Sequence, residues 1–155
     1  MKRLTERQKV IRELERRSGV KIMKKKTLSI PALKRKYEHV IRDLVIKRDG
    51  NRCALVGLRY HICGGRLVAD HRPVKRKNNR YFFDPRNLTC VCSNANFLAE
   101  FDPAINSAIC DVVKEREGQL CYDSMVITKG MPFKVTEEYV LTVIDILKKR
   151  LNNAL

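Results

Sequence analysis

The chain has 155 residues, 44% of them hydrophobic, and a formal net charge of +16 from 33 Lys and Arg against 17 Asp and Glu. That length suits one domain with appended helices, and that apolar fraction excludes a disordered tail. No apolar run matches a membrane span and no signal-peptide or lipidation pattern is seen, so a soluble, cytoplasmic protein is expected, with a phosphate backbone favoured over a membrane as the partner of the charge. The excess is uneven. Residues 1–50 carry 17 basic and 6 acidic side chains (+11), residues 51–100 carry 9 and 3 (+6), and residues 101–155 carry 7 and 8 (−1).

In chain order, Thr5 to about Arg17 reads as a capped helix with one apolar face and one basic face, and residues 19–28 as a linker. Lys24, Lys25 and Lys26 extend the basic charge without acidic relief, which suits a phosphate-tracking arm. Pro31 to Lys47 reads as a second helix, with Leu33, Tyr37, Val40, Ile41, Leu44 and Val45 on a continuous apolar stripe and Asp49-Gly50 as its stop. Leu58–Cys63 is expected to be a strand, Gly64-Gly65 a tight turn and Arg66–Ala69 the return strand. Asn78-Asn79 marks a turn, Tyr81-Phe82-Phe83 a further short strand, and Ser93–Glu100 a helix. Asp102 caps a helix that starts at Pro103 and closes at Gly118. Residues 119–134 read as a short hairpin around Lys129-Gly130. A last helix starts at Thr136, with Val140, Ile144, Leu147 and Leu151 on one face.

The chemistry gathers between Val68 and Asn96. An Asp70-His71 pair ends an apolar run, and a basic loop follows with Arg72, Lys75, Arg76, Lys77 and Arg80. Then come Asp84-Pro85-Arg86-Asn87-Leu88 and a segment carrying Asn94 and Asn96. A strand–loop–strand–helix order would bring Asp70, His71, Asn87 and Asn96 to one metal-sized spot. The loop cations suit phosphate contacts, and Arg86 suits either such a contact or bracing of the loop; most of the rings of Tyr81, Phe82 and Phe83 suit the core.

These residues resemble the HNH nucleases, whose core is a β-hairpin crossed by a helix around one divalent ion (the ββα-metal fold). The resemblance spans about Lys47 to Asn96. Its lead-in, Lys47-Arg48-Asp49-Gly50-Asn51-Arg52-Cys53, is most similar to phage recombination nucleases of the NinG/Rap type. It implies an α+β chain with a basic helical DNA-binding arm (1–48), a ββα-metal core (49–101) and helices packed on that core (102–155). It implies further that Asp70 and Asn96 bind the metal, His71 is the general base, and Asn87 braces the loop that carries the base. The implied partner is DNA, nicked or cut and branched or structured in form. A protein partner on the C-terminal helices and a monomer or homodimer remain open, as does a catalytically inactive, basic DNA- or RNA-binding module on the same fold.

The residue types suit that chemistry. A hard ion such as Mg²⁺ or Mn²⁺ takes oxygen ligands, which a carboxylate and an amide supply while leaving room for phosphate and water. Neutral imidazole is a base suited to neutral pH. Neighbours on a strand point to opposite faces, so Asp70 and His71 could serve a metal and a water on two sides of a phosphate.

Of the six cysteines (53, 63, 90, 92, 110 and 121), none needs a disulfide where no secretory signal is seen. Many HNH nucleases hold a structural zinc on two Cys-x-x-Cys knuckles. Here the second cysteine of each is replaced, by Val56 and Ala95, which implies apolar packing where zinc would sit. The alternative is zinc held by Cys53, Cys63, Cys90 and Cys92 across an insertion. His39 reads as structural, and His61 as a strand residue for which metal ligation is the less favoured role.

Overall fold

The computed structural model describes residues 28–152 and Arg16. The N-terminal helix expected from Thr5 to Arg17 and the run Lys24, Lys25 and Lys26 lie outside the described residues, Arg16 excepted. The described chain is an α+β fold: helix α1 (Ile30–Arg48), strand β1 (Leu67–His71), a single 3₁₀ turn (Pro85–Asn87), strand β2 (Leu88–Cys92), and helices α2 (Ser93–Leu98), α3 (Pro103–Glu117), α4 (Gln119–Thr128) and α5 (Glu137–Asn152). Among the described residues, no helix is long and apolar enough to cross a membrane.

Local chemistry sets the helix starts. Ser29 Oγ accepts from Ala32 N (3.4 Å) with Pro31 in the first turn of α1, and Asp102 Oδ1 accepts from Ala104 N (2.8 Å) ahead of Pro103 at the start of α3. Gly118, at φ 84°, ends α3 and begins α4.

The two strands pair antiparallel, with Ala69 opposite Cys90, Asp70 opposite Thr89 and His71 opposite Leu88. Three cores surround them. Leu33, Tyr37, Ile41 and Val45, spaced four residues apart, form one face of α1 against Val140, Val143, Ile144 and Leu147 of α5, together with Phe82, Phe83 and Leu88. On the other side, Leu55, Val91, Ala95, Ile105 and Ile109 join β2, α2 and α3. Val74, Tyr81, Val113 and Met125 close a smaller cluster over α4.

Arg48 and Asp49, at the end of α1, fix the approach to β2. Arg48 Nη1 and Nη2 donate to the carbonyls of Pro85 and Leu88, each at 2.7 Å, and Asp49 Oδ2 accepts from Cys90 N at 2.7 Å. These charge-assisted bonds hold the 3₁₀ turn that carries Asn87.

Three expected elements differ. Leu58–Cys63 is a run of turns, not a strand, and Tyr60 and Ile62 project into solvent. Tyr81–Phe83 is buried but irregular; the second strand is Leu88–Cys92, buried along its whole length. Residues 119–128 are helix rather than hairpin, and Lys129-Gly130 is the turn after it.

Candidate functional site

β1 ends where a cleft of ≈ 830 Å³ opens between α1, the strand ends and α2. Asp70, His71 and Asn96 all line it. Asn87 does not line it but ties the loop that follows His71. Its Oδ1 accepts from Val74 N (2.9 Å), its Nδ2 donates to Val74 O (2.8 Å) and Tyr81 O (3.4 Å), and its carbonyl accepts from Arg72 N (3.0 Å). The side chain thereby pairs both backbone groups of Val74 inside the protein.

His71 is packed on Phe82, ring centroids 5.1 Å apart, with Nε2 3.1 Å from Phe82 O. A carbonyl only accepts, so the bond requires the proton on Nε2 and leaves Nδ1 as the basic nitrogen. Burial pushes the imidazole down to about 4; the Phe82 carbonyl opposes this, while Arg76, Lys34 and Arg72 reinforce it. The ring is therefore neutral at pH 7.

Asp70 offers one engaged and one orphaned oxygen. Oδ1 accepts from Arg72 Nη1 at 3.1 Å, whereas Oδ2 is enclosed without a hydrogen-bond partner. Burial raises the carboxyl above its ordinary value and Arg72 pulls it back. Asn96 is half-buried on α2, and its amide makes no hydrogen bond among the described residues. Asp70 and Asn96 thus bring an unsatisfied carboxylate oxygen and an uncommitted amide to the wall of one cleft.

The cations divide into committed and free. Arg72, expected to meet phosphate, is only 3% exposed and spent on structure. Besides Asp70 it binds His71 O (2.9 Å), Glu100 Oε1 (2.8 Å) and Asn106 Oδ1 (2.8 Å), joining β1 to α3 and to the turn after α2. Of the two roles open to Arg86, the geometry agrees with bracing: it lies outside the cleft, doubly bonded to Asp84 at 3.0 and 2.7 Å. Arg80 stacks over Tyr81 and Phe133. Lys75 lines the cleft, bound to Glu100 (2.7 Å), and Arg76 lines it paired with Glu38. Lys77 and Arg66 line it with no acidic partner among the described residues.

A second group lies behind β2. Cys53, His61, Cys63 and Cys92 bring one ligand atom each to within 4.8 Å of one another, a cluster that could hold a metal ion. Tetrahedral ligands 2.3 Å from zinc stand about 3.8 Å apart, and three sulfurs with one imidazole are a zinc-type donor set. His61 Nε2 is 3.3 Å from Cys92 Sγ, and His61 Nδ1 is enclosed without a partner. Burial raises the Cys92 thiol, but the N–H groups of Gly64 and Ala95 and the side chains of His61 and Cys53 outweigh it and hold the sulfur at about 7.

The Gly64-Gly65 turn makes this assembly reachable. Gly65 sits at φ 76°, and a Cβ there would lie 2.1 Å from Ser93 Oγ. Ser93 N and Asn94 N donate to the carbonyls of Arg66 and Gly64, seating Cys63 over the start of α2. The cluster corrects the expected ligand set: His61 takes the place given to Cys90. Cys90 is not among the residues whose ligand atoms meet within 4.8 Å of one another. Cys90 stays within the core, its thiol pushed up to about 11 by burial. Nor does Val56 supply the apolar packing expected in place of zinc, since it is exposed.

Sequence reasoning missed four groups here. Glu100 and Asn106 hold Arg72, and Phe97 and Phe101 stand exposed beside the cleft. The readable signals were His-x-Cys before Gly-Gly, for the cluster, and two phenylalanines four apart, Phe97 on α2 and Phe101 on the turn after it. No protein-family model matches the chain, and comparison with curated proteins and with solved structures finds no match.

Proposed function

We propose that the chain is a metal-dependent endonuclease with an HNH-type ββα-metal core, nicking or cutting DNA during phage-type recombination or processing. The observation that carries the reading is the shared cleft: Asp70, His71 and Asn96 face one basic cavity while Asn87 locks the loop behind the imidazole. Asp70 and Asn96 would hold the divalent ion. When bound, such an ion supplies positive charge to the scissile phosphate and the departing oxygen. His71, neutral and with Nε2–H committed to Phe82 O, has Nδ1 to accept the proton of the attacking water. Lys77 and Arg66 would hold flanking phosphates. The Cys53–His61–Cys63–Cys92 cluster would hold a structural zinc, fixing the approach to β1 and the start of α2.

The test is nicking of supercoiled plasmid with Mg²⁺ or Mn²⁺. Wild type should relax the plasmid, and His71→Ala and Asp70→Asn should each lose at least about 100-fold in rate, the scale of a positioned base. A second reading, a DNA-binding module without catalysis, is favoured by the Arg72 guanidinium on Asp70, which holds one of the two carboxylate oxygens. Wild type that binds but never nicks, with His71→Ala indistinguishable from it, would select that reading.

A further inference from the structure

Phe97 and Phe101 are 63% and 74% exposed, with ring centroids 5.3 Å apart and planes inclined by 57°. Phe97 lines the same cleft as Asp70, His71 and Asn96 and follows Asn96 directly in sequence. Leaving two such rings in water forgoes roughly 1.5–3 kcal/mol of burial apiece. The other aromatic side chains near the site are spent otherwise: Tyr81, Phe82 and Phe83 are buried in the cores.

We propose that Phe97 and Phe101 form a stacking platform for an unpaired nucleobase of single-stranded DNA beside the scissile phosphate. This deepens the nuclease reading and rests on it for the position of that phosphate. Charge complementarity selects the occupant. The unpartnered Lys77 and Arg66 line the cleft that Phe97 borders, so the surface offers cations for a backbone and a π-face for a base. Single-stranded binding sites combine these two features, with stacking that tolerates any base. A paired base inside a duplex presents no free face to a ring. The platform therefore makes the chain prefer single-stranded DNA over uninterrupted duplex.

The test measures binding of the full chain, as purified and with no Mg²⁺ or Mn²⁺ added, by fluorescence anisotropy, with a single-stranded oligonucleotide and with the same sequence as a blunt duplex. Phe97→Ala/Phe101→Ala should weaken single-strand binding by about 5- to 100-fold, since stacking on an aromatic ring contributes about 1–3 kcal/mol per base. Duplex binding should change less than about twofold. Phe97→Trp should restore the preference. A 5-iodouracil oligonucleotide, irradiated on the wild type, should crosslink to the peptide carrying Phe97 or Phe101. Equal loss on both substrates, no loss on either, or a crosslink elsewhere overturns the proposal. So does sedimentation showing that the double variant only converts a dimer to a monomer. Because no Mg²⁺ or Mn²⁺ is added, a plasmid that is never nicked removes the nuclease reading while this preference is still read independently.

Discussion

Asn87 contributes more to the site than its absence from the cleft wall suggests. Its amide pairs both backbone groups of Val74 at full burial. Asn87→Ala leaves that N–H and C=O unpaired inside the protein, a cost of about 2–4 kcal/mol. The urea midpoint should fall accordingly, and plasmid nicking should fall with it at temperatures where the variant is still folded. His71 gives a pH signature. Its folded value, about 4, lies below the ordinary 6.5 because burial disfavours the imidazolium. The unfolded chain therefore takes up the proton first. The stability that His71 contributes is complete above pH 6.5 and is lost as pH falls from 6.5 toward 4, by an amount on the order of 3 kcal/mol. His71→Gln keeps a donor for Phe82 O without a titrating group. Its urea midpoint should fall less steeply than that of wild type across that window, and parallel curves would refute the assignment.

Among the elements, the strand end and helix start at Cys92 are the junction to test. Cys53 follows α1, His61 and Cys63 lie on the turns before β1, and Cys92 ends β2, so one ion would tie all three segments. The purified chain should carry about one zinc, and cobalt in its place should give thiolate charge-transfer bands, as a site with three cysteine ligands requires. His61→Ala and Cys92→Ala should lose the metal, whereas Cys90→Ala should keep it. Gly65→Ala should weaken it, because φ 76° strains a residue with a Cβ and that Cβ would displace Ser93 Oγ. The helices α1, α3 and α5 were legible because each carries a stripe at helical spacing and begins with a side-chain cap, Ser29, Asp102 and Thr136 respectively. β2 was not, because Leu88–Cys92 is buried on both faces and shows no alternation. The alternation of Leu58, Tyr60 and Ile62 misled in the opposite direction: Tyr60 and Ile62 are exposed, and His61 and Cys63 are drawn to the metal-type cluster. α4 was hidden because its first residue follows Gly118 with no side-chain cap. The residues Asp70, His71, Asn87 and Asn96 were legible as a motif. The engagement of Arg72 was not, since Glu100 and Asn106 lie 28 and 34 residues away and meet it only through folding.

At the scale of the whole molecule, the +16 charge is not a count of available cations. Arg72, Arg86 and Arg48 are held by carboxylates, and only those cations without an acidic partner can release counterions from DNA at full effect. The salt dependence of binding should therefore sort the basic residues by pairing rather than by number. Lys77→Ala and Arg66→Ala should each lower the slope of log K against log salt by about 0.9, the value of one duplex phosphate contact. Arg86→Ala, outside the cleft and bound to Asp84, should leave the slope unchanged even if it costs stability at the 3₁₀ turn. Titrations at several salt concentrations with each variant check this. An Arg86→Ala slope that falls as far as that of Lys77→Ala would place the DNA on the opposite side of the strand pair and remove the cleft from the binding path.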